Sequence, residues 1–302
     1  MQIFYDTYPE ETSLAIALGN FDGVHLGHTR LISELKKTEY KTAVYTFSDH
    51  PINVIRGEGR VKTINTSSEK ADIIENLGID LLLFESFEAV RNMTPPEFVD
   101  EILIKKLHAK VVFCGFNYRF GKGGEGDADL LRSLLSDRGA ELFVIPEVKV
   151  NGRTVSSTAI REELLRGNIT EANKMLGRHY FVKGTVKHGK ALGKTIGFPT
   201  VNLDLDEERE IPKYGVYFGQ CTLFDKTYPV AASIGVRPTV EKVLLPRLEA
   251  HLIGFEGDLY GKEVKIEFIE KIRDEVKFDT VEDLKKQLAI DVELCRKRFS
   301  ER

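Results

Sequence analysis

The chain has 302 residues, 42% of them hydrophobic and 30% charged, which is enough apolar material for about two domains with cores of their own. A formal net charge of −4 argues against a nucleic-acid surface built on bulk basicity, and no stretch is long and apolar enough to cross a membrane. The first residues lack the basic start and apolar core of a secretory signal, and the three cysteines suggest no disulfide framework. We therefore expect a cytoplasmic protein, a monomer or weak homo-oligomer, that acts on small molecules and binds neither nucleic acid nor membrane.

The first half of the chain alternates predicted strands with predicted helices. Apolar runs indicate buried strands at 13–18, 42–47, 80–84, 109–114 and 140–145. Helical patterns follow at 29–36, at 68–77 with a cap at Ser67, at 95–107 and at 127–138. This alternation predicts an α/β domain with a doubly wound parallel sheet, whose ligands lie beyond the carboxyl ends of the strands.

The turn between the first strand and the first helix, residues 19–28, reads Gly-Asn-Phe-Asp-Gly-Val-His-Leu-Gly-His. Gly19, Gly23 and Gly27 permit close approach of a ligand, and the first amides of the helix carry the positive end of its dipole. His25 and His28, three residues apart, can both face an anion and donate hydrogen bonds to phosphoryl oxygens as charge shifts. The turn therefore predicts a phosphate site suited to nucleotidyl transfer.

Half of a metal site, or two ordinary surface residues, are the alternatives for these histidines. Zinc would need further Cys or His ligands at recognisable spacing. The three cysteines and the other five histidines are scattered along the chain, which makes the metal hypothesis the weaker one.

A second segment of interest, residues 115–121, follows the predicted strand that ends at 114 and so lies at the same edge of the sheet. Its aromatic residues could stack on a planar ring and its arginine is suited to phosphate, which makes Asn117, Tyr118 and Arg119 candidates for binding flavin or nucleotide. The alternative is a loop whose aromatic residues cap the core.

A third segment starts a helix with the hydroxyl residues Ser156, Ser157 and Thr158, followed by Arg161 one turn later. Hydroxyl groups at a helix start together with a guanidinium form an anion site. Helix capping alone would explain one hydroxyl residue, but not three with an arginine.

After Gly177 the pattern changes to short β-rich runs broken by glycines. The runs at 180–186, 215–224, 228–234, 248–253 and 264–269 predict an antiparallel β-barrel or sandwich, closed by a C-terminal helix at about 281–299. We expect the domains to be 1–178 and 179–302, with the boundary after a helix at 170–176.

The second domain carries a glycine-rich loop of its own, residues 188–202. It lacks the frame and spacing of a Walker A motif. Gly189 and Gly193 let the backbone cradle phosphate and Lys194 supplies charge. Thr200 and Asn202, two apart on an extended segment, project to the same side and offer hard oxygen ligands to Mg²⁺. An ordinary glycine-rich hairpin is the alternative.

These motifs, which span nearly the whole chain, resemble those of the bifunctional prokaryotic riboflavin kinase/FAD synthetase family. The His-x-Gly-His pattern resembles the nucleotidyltransferase superfamily, and the wording Asn-Phe-Asp-Gly-Val-His its flavin-nucleotide branch. In this family the two halves of the ATP-phosphate site face each other. The resemblance implies an ATP site made of Gly19, Phe21, Asp22, Gly23, His25, Gly27 and His28 opposite Ser156, Ser157, Thr158 and Arg161, with flavin or nucleotide held at Asn117.

Two segments depart from the family pattern. Thr-Phe-Ser-Asp-His-Pro at 46–51 stands where Thr-Phe-x-Pro-His-Pro is usual, and Asn117-Tyr118 stands where many members have Asp-Phe. Neither change removes a group that the chemistry requires.

In the second half, Gly-Phe-Pro-Thr-Val-Asn at 197–202 is similar to the Pro-Thr-Ala-Asn motif of riboflavin kinase, with valine for alanine. The valine points to the opposite face from Thr200 and Asn202, so we expect activity to persist. Segments 215–217, 233–239 and 248–251 follow the family's usual order. The resemblance assigns Glu249 as the base that accepts the proton of the ribityl 5′-hydroxyl, because an alcohol must lose its proton during attack. Without the motif, Glu249 would be read as a solvated strand residue.

The expected function is phosphorylation of riboflavin to FMN, then adenylylation of FMN to FAD, with ATP as co-substrate and Mg²⁺ as cofactor. The FMN phosphate is already ionised near neutral pH, so attack on the α-phosphorus of ATP needs no general base. The expected catalytic residues are His28, His25 and Glu249. One alternative is an FAD synthetase with a non-catalytic flavin-binding C-terminal module, and another is a nucleotidyltransferase for a different phosphorylated acceptor.

Overall fold

The structure is a computed structural model that describes residues 1–10, 12–56, 61–189, 192–236 and 246–302. Its internal contacts divide the chain into two compact units, Met1–Ser157 and Thr158–Arg302. Within the described ranges, no helix is both long and apolar enough to span a bilayer.

The N-terminal unit is built on a parallel sheet of six strands. They are β1 (Gln2–Tyr5), β2 (Leu14–Leu18), β3 (Lys41–Phe47), β4 (Leu81–Glu85), β5 (Ala109–Gly115) and β6 (Glu141–Ile145). Their order is β1-β4-β3-β2-β5-β6, and every neighbouring pair is parallel. The predicted α/β class is confirmed, and the strand order reverses between β2 and β5, where such sheets bind ligands.

Helices connect these strands, and a small hairpin follows them. The helices are α1 (Leu26–Leu35), α2 (Pro51–Arg56), α3 (Ser67–Asn76), α4 (Phe87–Val90), α5 (Pro95–Glu97) with its π-helical continuation Phe98–Lys106, and α6 (Ala128–Ser136). The hairpin pairs β7 (Lys149–Val150) with β8 (Arg153–Thr154). The predicted cap of α3 at Ser67 was wrong by one residue, because Thr66 accepts the Glu69 amide while the Glu69 carboxylate accepts the Thr66 amide.

The C-terminal unit is built on an antiparallel sheet of six strands. They are β9 (Tyr180–Thr185), β10 (Val201–Asp204), β11 (Gly215–Leu223), β12 (Lys226–Val236), β13 (Pro246–Leu252) and β14 (Glu263–Arg273). Their order is β10-β13-β12-β11-β14-β9. The Lys187 amide donates to the Asn202 carbonyl at 2.9 Å, which links the chain after β9 to β10 and nearly closes the sheet into a barrel.

Helices flank this second sheet. They are α7 (Ser157–Arg166), α8 (Ile169–Leu176), the short α9 (Leu192–Thr195) and α10 (Val281–Ser300). The Asn173 side chain ties α8 to the sheet, donating to the Phe268 carbonyl at 2.8 Å and accepting from the Tyr180 amide at 2.6 Å. Arg273 at the end of β14 anchors α10 through a fork of hydrogen bonds to the buried Asp291. The antiparallel near-barrel and C-terminal helix are as predicted, while the boundary between 178 and 179 stays a prediction.

The burial of alternate residues along β13 shows which side chains lie on the inner face of the near-barrel and which lie on the outer face. Leu248, Ala250 and Leu252 are buried, whereas the alternating residues Glu249 and His251 are only partly buried. Since side chains alternate between faces, Glu249 and His251 share the outer face.

Candidate active sites

The first candidate site lies where the strand order of the N-terminal sheet reverses. β2 and β5 are neighbours, with Ala17 opposite Phe113. The turn after β2 and the loop after β5 therefore leave the sheet side by side at its carboxyl edge. Two of the three segments singled out in the first half are thus brought together by the topology.

The turn after β2 is held in an unusual backbone conformation. Phe21, Gly23 and Val24 have φ values of 48°, 79° and 38°. Positive φ is costly for a β-branched residue such as Val24, and a Cβ on Gly23 would lie 2.8 Å from the Ile64 side chain. The buried Asp22 carboxylate accepts the Ile64 amide at 2.7 Å, which helps to hold the turn in place. Backbone strain kept by such contacts is typical of functional sites.

His25 and His28 are oriented by the start of α1. The Nδ1 of His25 accepts the His28 amide at 3.4 Å, and the Nδ1 of His28 accepts the His25 amide at 3.3 Å. Because both Nδ1 atoms are acceptors, the neutral rings are assigned the tautomer with hydrogen on Nε2. The rings are stacked, with centroids 3.7 Å apart. Two parallel Nε2–H donors at a helix N-terminus suit an anion.

This arrangement also corrects the predicted start of α1 at Thr29. The helix begins at Leu26, with His25 as its N-cap. Histidine is not among the usual capping residues, so the pattern of polar caps did not indicate this position.

Lys70 on α3 is a functional candidate that the sequence analysis missed. Its buried ammonium donates to the Asn20 carbonyl at 3.0 Å and to the Thr46 hydroxyl at 3.4 Å, and Thr46 itself donates to Asn20 at 2.9 Å. Lys70 thus braces the turn before Phe21. One signal was present: Lys70 stands on the apolar stripe that continues with Ile73, Ile74 and Leu77.

Burial lowers the pKa of Lys70 from 10.5 to about 8, with the Asp22 charge opposing the shift. Between these values the unfolded chain binds more protons, so stability should rise with pH; below pH 8 the full penalty of burying the charge remains. From pH 7 to 9.5 we expect the free energy of unfolding of the wild type to gain about 2 kcal/mol relative to Lys70→Met. Urea unfolding followed by circular dichroism measures this, with Lys37→Met at an exposed site as the control. Parallel pH curves for the wild type and Lys70→Met would contradict the assignment.

The loop after β5 divides its candidate residues between core and solvent. Tyr118 packs against the hydrophobic core and stacks on Phe120, and burial raises the pKa of its phenol. Asn117 and Arg119 are exposed, and the Arg119 guanidinium lies 3.8 Å from the Asp127 carboxylate. Tyr118 is therefore fixed by packing against the core, while Asn117 and Arg119 present polar groups at the carboxyl edge.

The hydroxyl segment at the start of α7 contacts the turn that follows β2. The Ser157 hydroxyl donates to the Asp22 carbonyl at 2.8 Å, so this side chain holds the backbone of residues 21–24 rather than capping its own helix. Ser156 lies immediately before α7, Thr158 lies in its first turn, and Arg161 begins its second turn.

The second candidate site lies on the outer face of the near-barrel. Asn202 of β10 is directly opposite Glu249 of β13, which is opposite Ser233 of β12. Directly opposed residues of antiparallel strands share a face, so these three polar side chains form a row across the sheet. The predicted ligand Asn202 and the predicted base Glu249 are therefore neighbours.

The glycine-rich loop packs closely against this row. A Cβ on Gly189 would lie 2.5 Å from the side-chain nitrogen of Asn202, so only glycine permits this approach. The Phe198 amide donates to the Gly193 carbonyl at 2.7 Å and folds the loop back toward Thr200. Lys194 belongs to α9, but its side chain lies outside the described part of the structure.

The oxygen donors at this row fit Mg²⁺ better than a softer metal. The side-chain nitrogen of Asn202 donates to the Thr200 carbonyl at 3.4 Å. The side-chain oxygen of Asn202 is therefore the atom that could bind a metal ion. The amide oxygen of Asn202 and the hydroxyl of Thr200 are hard ligands. Among the described residues, no group of three or more His, Cys, Asp or Glu side chains is arranged to hold a metal ion.

Each half of the chain matches a known protein family. A riboflavin kinase family model matches residues 176–299, and an FAD synthetase family model matches residues 7–159. Two similar curated proteins are both named bifunctional riboflavin kinase/FMN adenylyltransferase. The one from Listeria monocytogenes is 36% identical over 94% of this chain and 92% of its own length. The one from Bacillus subtilis is 33% identical over 99% of each chain.

The solved structures add a full-length match to the fold. A crystal structure named as a macrolide-efflux protein from Streptococcus pneumoniae superposes with a TM-score of 0.89 at 30% identity, covering 98% of this chain and 99% of that one. The name of that protein concerns efflux, unlike the names of the two curated relatives, and the likeness shows the fold.

Fold, sites and family models together define a class of protein, a transferase that joins a nucleotidyltransferase unit to a riboflavin kinase unit. The chain belongs to the family of bifunctional riboflavin kinase/FMN adenylyltransferases. The resemblance seen in the sequence motifs is thereby confirmed.

Proposed function

We propose that this enzyme phosphorylates riboflavin to FMN in its C-terminal half and adenylylates FMN to FAD in its N-terminal half. The observation that carries the proposal is that the histidine turn lies within the FAD synthetase match and the row of Asn202 and Glu249 lies within the riboflavin kinase match. The domains would be 1–178 and 179–302. We further propose that the protein is cytoplasmic and is a monomer or weak homo-oligomer. It would act on small molecules and bind neither nucleic acid nor membrane.

In the adenylyltransferase half, the Nε2–H groups of His25 and His28 would donate to phosphate oxygens of ATP as negative charge moves toward the leaving pyrophosphate. The phosphate of FMN is ionised and attacks the α-phosphorus directly, so the work of the protein is positioning and charge stabilisation. Residues 19–27 would supply backbone contacts. Ser156, Thr158 and Arg161 would bind phosphate, while Ser157 supports the turn at Asp22. Flavin would lie beside Asn117, Tyr118 and Arg119.

In the kinase half, Glu249 would accept the proton of the ribityl 5′-hydroxyl as that oxygen attacks the γ-phosphorus of ATP. Bound Mg²⁺ would neutralise phosphate charge, and Thr200 and Asn202 are the residues that would hold it. The register that sets Asn202 opposite Glu249 supports this division, because the base and the metal ligands must meet at one phosphoryl group. Gly189, Gly193 and Lys194 would contact the remaining phosphates.

Product analysis tests the proposal. Purified protein with riboflavin, ATP and Mg²⁺ should form FMN and then FAD, and with FMN it should form FAD and pyrophosphate. An FAD synthetase with a non-catalytic C-terminal half would convert supplied FMN and leave riboflavin untouched. A nucleotidyltransferase for another acceptor would convert neither flavin, and a panel of phosphorylated acceptors would identify its substrate.

Thr200→Ala and Asn202→Ala test the proposed metal ligands. Each removes one hard oxygen, so the Mg²⁺ concentration that gives half-maximal riboflavin phosphorylation should rise by about tenfold. FAD formation from supplied FMN should be unchanged, since that reaction is assigned to the other half. A defect that no Mg²⁺ or ATP concentration relieves, or an equal loss in both reactions, would contradict the local metal role.

A further inference from the structure

His251 makes a contact that the proposed kinase chemistry does not use. Its Nδ1 lies 2.7 Å from the carbonyl oxygen of Pro199, and its ring stands edge-on to Phe198 with centroids 5.8 Å apart. His251 is on β13, two residues after Glu249 and on the same outer face. Pro199 immediately precedes Thr200. The imidazole thus joins the strand of the proposed base to the segment of the proposed metal ligands.

The direction of this hydrogen bond follows from its acceptor. A carbonyl oxygen cannot donate, so Nδ1 carries the hydrogen and the neutral ring is protonated there. Burial and the Arg296 charge on α10 lower the pKa of His251, while the bond to Pro199 opposes the shift. Both the neutral and the charged ring have hydrogen on Nδ1, so the bond persists when the ring titrates.

The segment that precedes β10 is tied to the sheet at Pro199 by a side chain. Proline lacks an amide hydrogen, so Pro199 contributes only its carbonyl. That carbonyl is bound by a side chain of β13 rather than by a backbone amide of that strand. The described register of β10 begins one residue beyond Thr200, at Val201 opposite Ala250. His251 therefore sets the position of the chain where strand pairing has not yet begun.

We propose that His251 is a positioning residue of the kinase reaction, which fixes Thr200 relative to Glu249 by holding the Pro199 carbonyl. This inference rests on the proposed kinase function. The imidazole takes no part in proton transfer. Its loss should displace one metal ligand and leave the base in place, so the apparent KM for Mg-ATP should change more than kcat.

Three substitutions separate positioning from catalysis and from simple packing. His251→Asn keeps an N–H donor at the place of Nδ1, His251→Gln moves the donor to the place of Nε2, and His251→Leu removes it. We expect His251→Asn to keep the KM for Mg-ATP within about twofold, and the other two to raise it by about tenfold, the effect of one lost hydrogen bond. FAD formation from supplied FMN and the thermal unfolding midpoint serve as controls.

The wild type is assayed first, because failure to phosphorylate riboflavin would refute the proposed function itself. Given an active wild type, rescue by asparagine alone supports positioning. A His251→Asn enzyme as defective as His251→Leu, with an altered pH profile of kcat, would overturn it in favour of proton transfer. A His251→Leu enzyme with a normal KM for Mg-ATP would also overturn it. So would three variants that share the same KM while their unfolding midpoints are all lowered.

Discussion

Glu249→Gln is expected to lower the rate of riboflavin phosphorylation by about a hundredfold to ten-thousandfold, the usual effect of losing a general base. Glutamine keeps the size of the side chain and can still form hydrogen bonds, but it cannot accept the ribityl proton. Glu249 lies between Asn202 and Ser233 in a row of polar groups, so the amide can be accommodated there without a cavity. Riboflavin should still bind, and it should accumulate unphosphorylated.

The measurement is a paired assay that starts from riboflavin and from FMN. Supplied FMN should become FAD at the parent rate, because that reaction begins with an ionised phosphate and belongs to the other half. Glu263→Gln, an exposed glutamate of β14 paired with Lys183, is the matched control and should be fully active. A folded Glu249→Gln enzyme that phosphorylates riboflavin normally would show that another group or water takes the proton.

His28→Ala is expected to slow FAD formation from FMN by about a hundredfold to a thousandfold, the effect of removing one preorganised donor from a charge-stabilising site. A methyl group cannot donate to the phosphoryl oxygens. Riboflavin phosphorylation should continue, and FMN should accumulate.

Two further variants separate the donor from the helix cap. His28→Asn can keep an acceptor for the His25 amide but lacks a group at the place of Nε2, whereas His28→Gln can place an N–H there. The asparagine variant should be nearly as slow as alanine, and the glutamine variant should recover part of the rate. His108→Asn is the control, at an exposed position whose positive φ of 47° asparagine tolerates. Near-normal FAD formation by His28→Ala would refute the role of His28.

The strands of the N-terminal sheet were predictable where burial dictates composition. β2 is buried along its whole length and reads as an unbroken apolar run. β1 was missed because it is an edge strand whose residues are mostly exposed, so its pattern resembles that of a loop.

The motif residues of each site could be located from local sequence, but their partners could not. Lys70 reaches Asn20 and Thr46 across 50 and 24 positions of the chain, and such a contact leaves no periodic signal. The row of Asn202, Glu249 and Ser233 depends on the register of three strands, which a slip of one residue would destroy. The positive φ of Val24 is imposed by tertiary contacts against the preference of valine.

The central claim is that a phosphoryl transfer and then an adenylyl transfer follow one another on this chain, and ATP labelled separately at its α and γ phosphates tests it most directly. Starting from riboflavin, FMN should carry γ label alone, while FAD should carry one γ-derived and one α-derived phosphate in equal amounts. Pyrophosphate should appear in step with FAD. Absence of γ label from all flavin products, or of α label from every flavin formed from supplied FMN, would contradict the account.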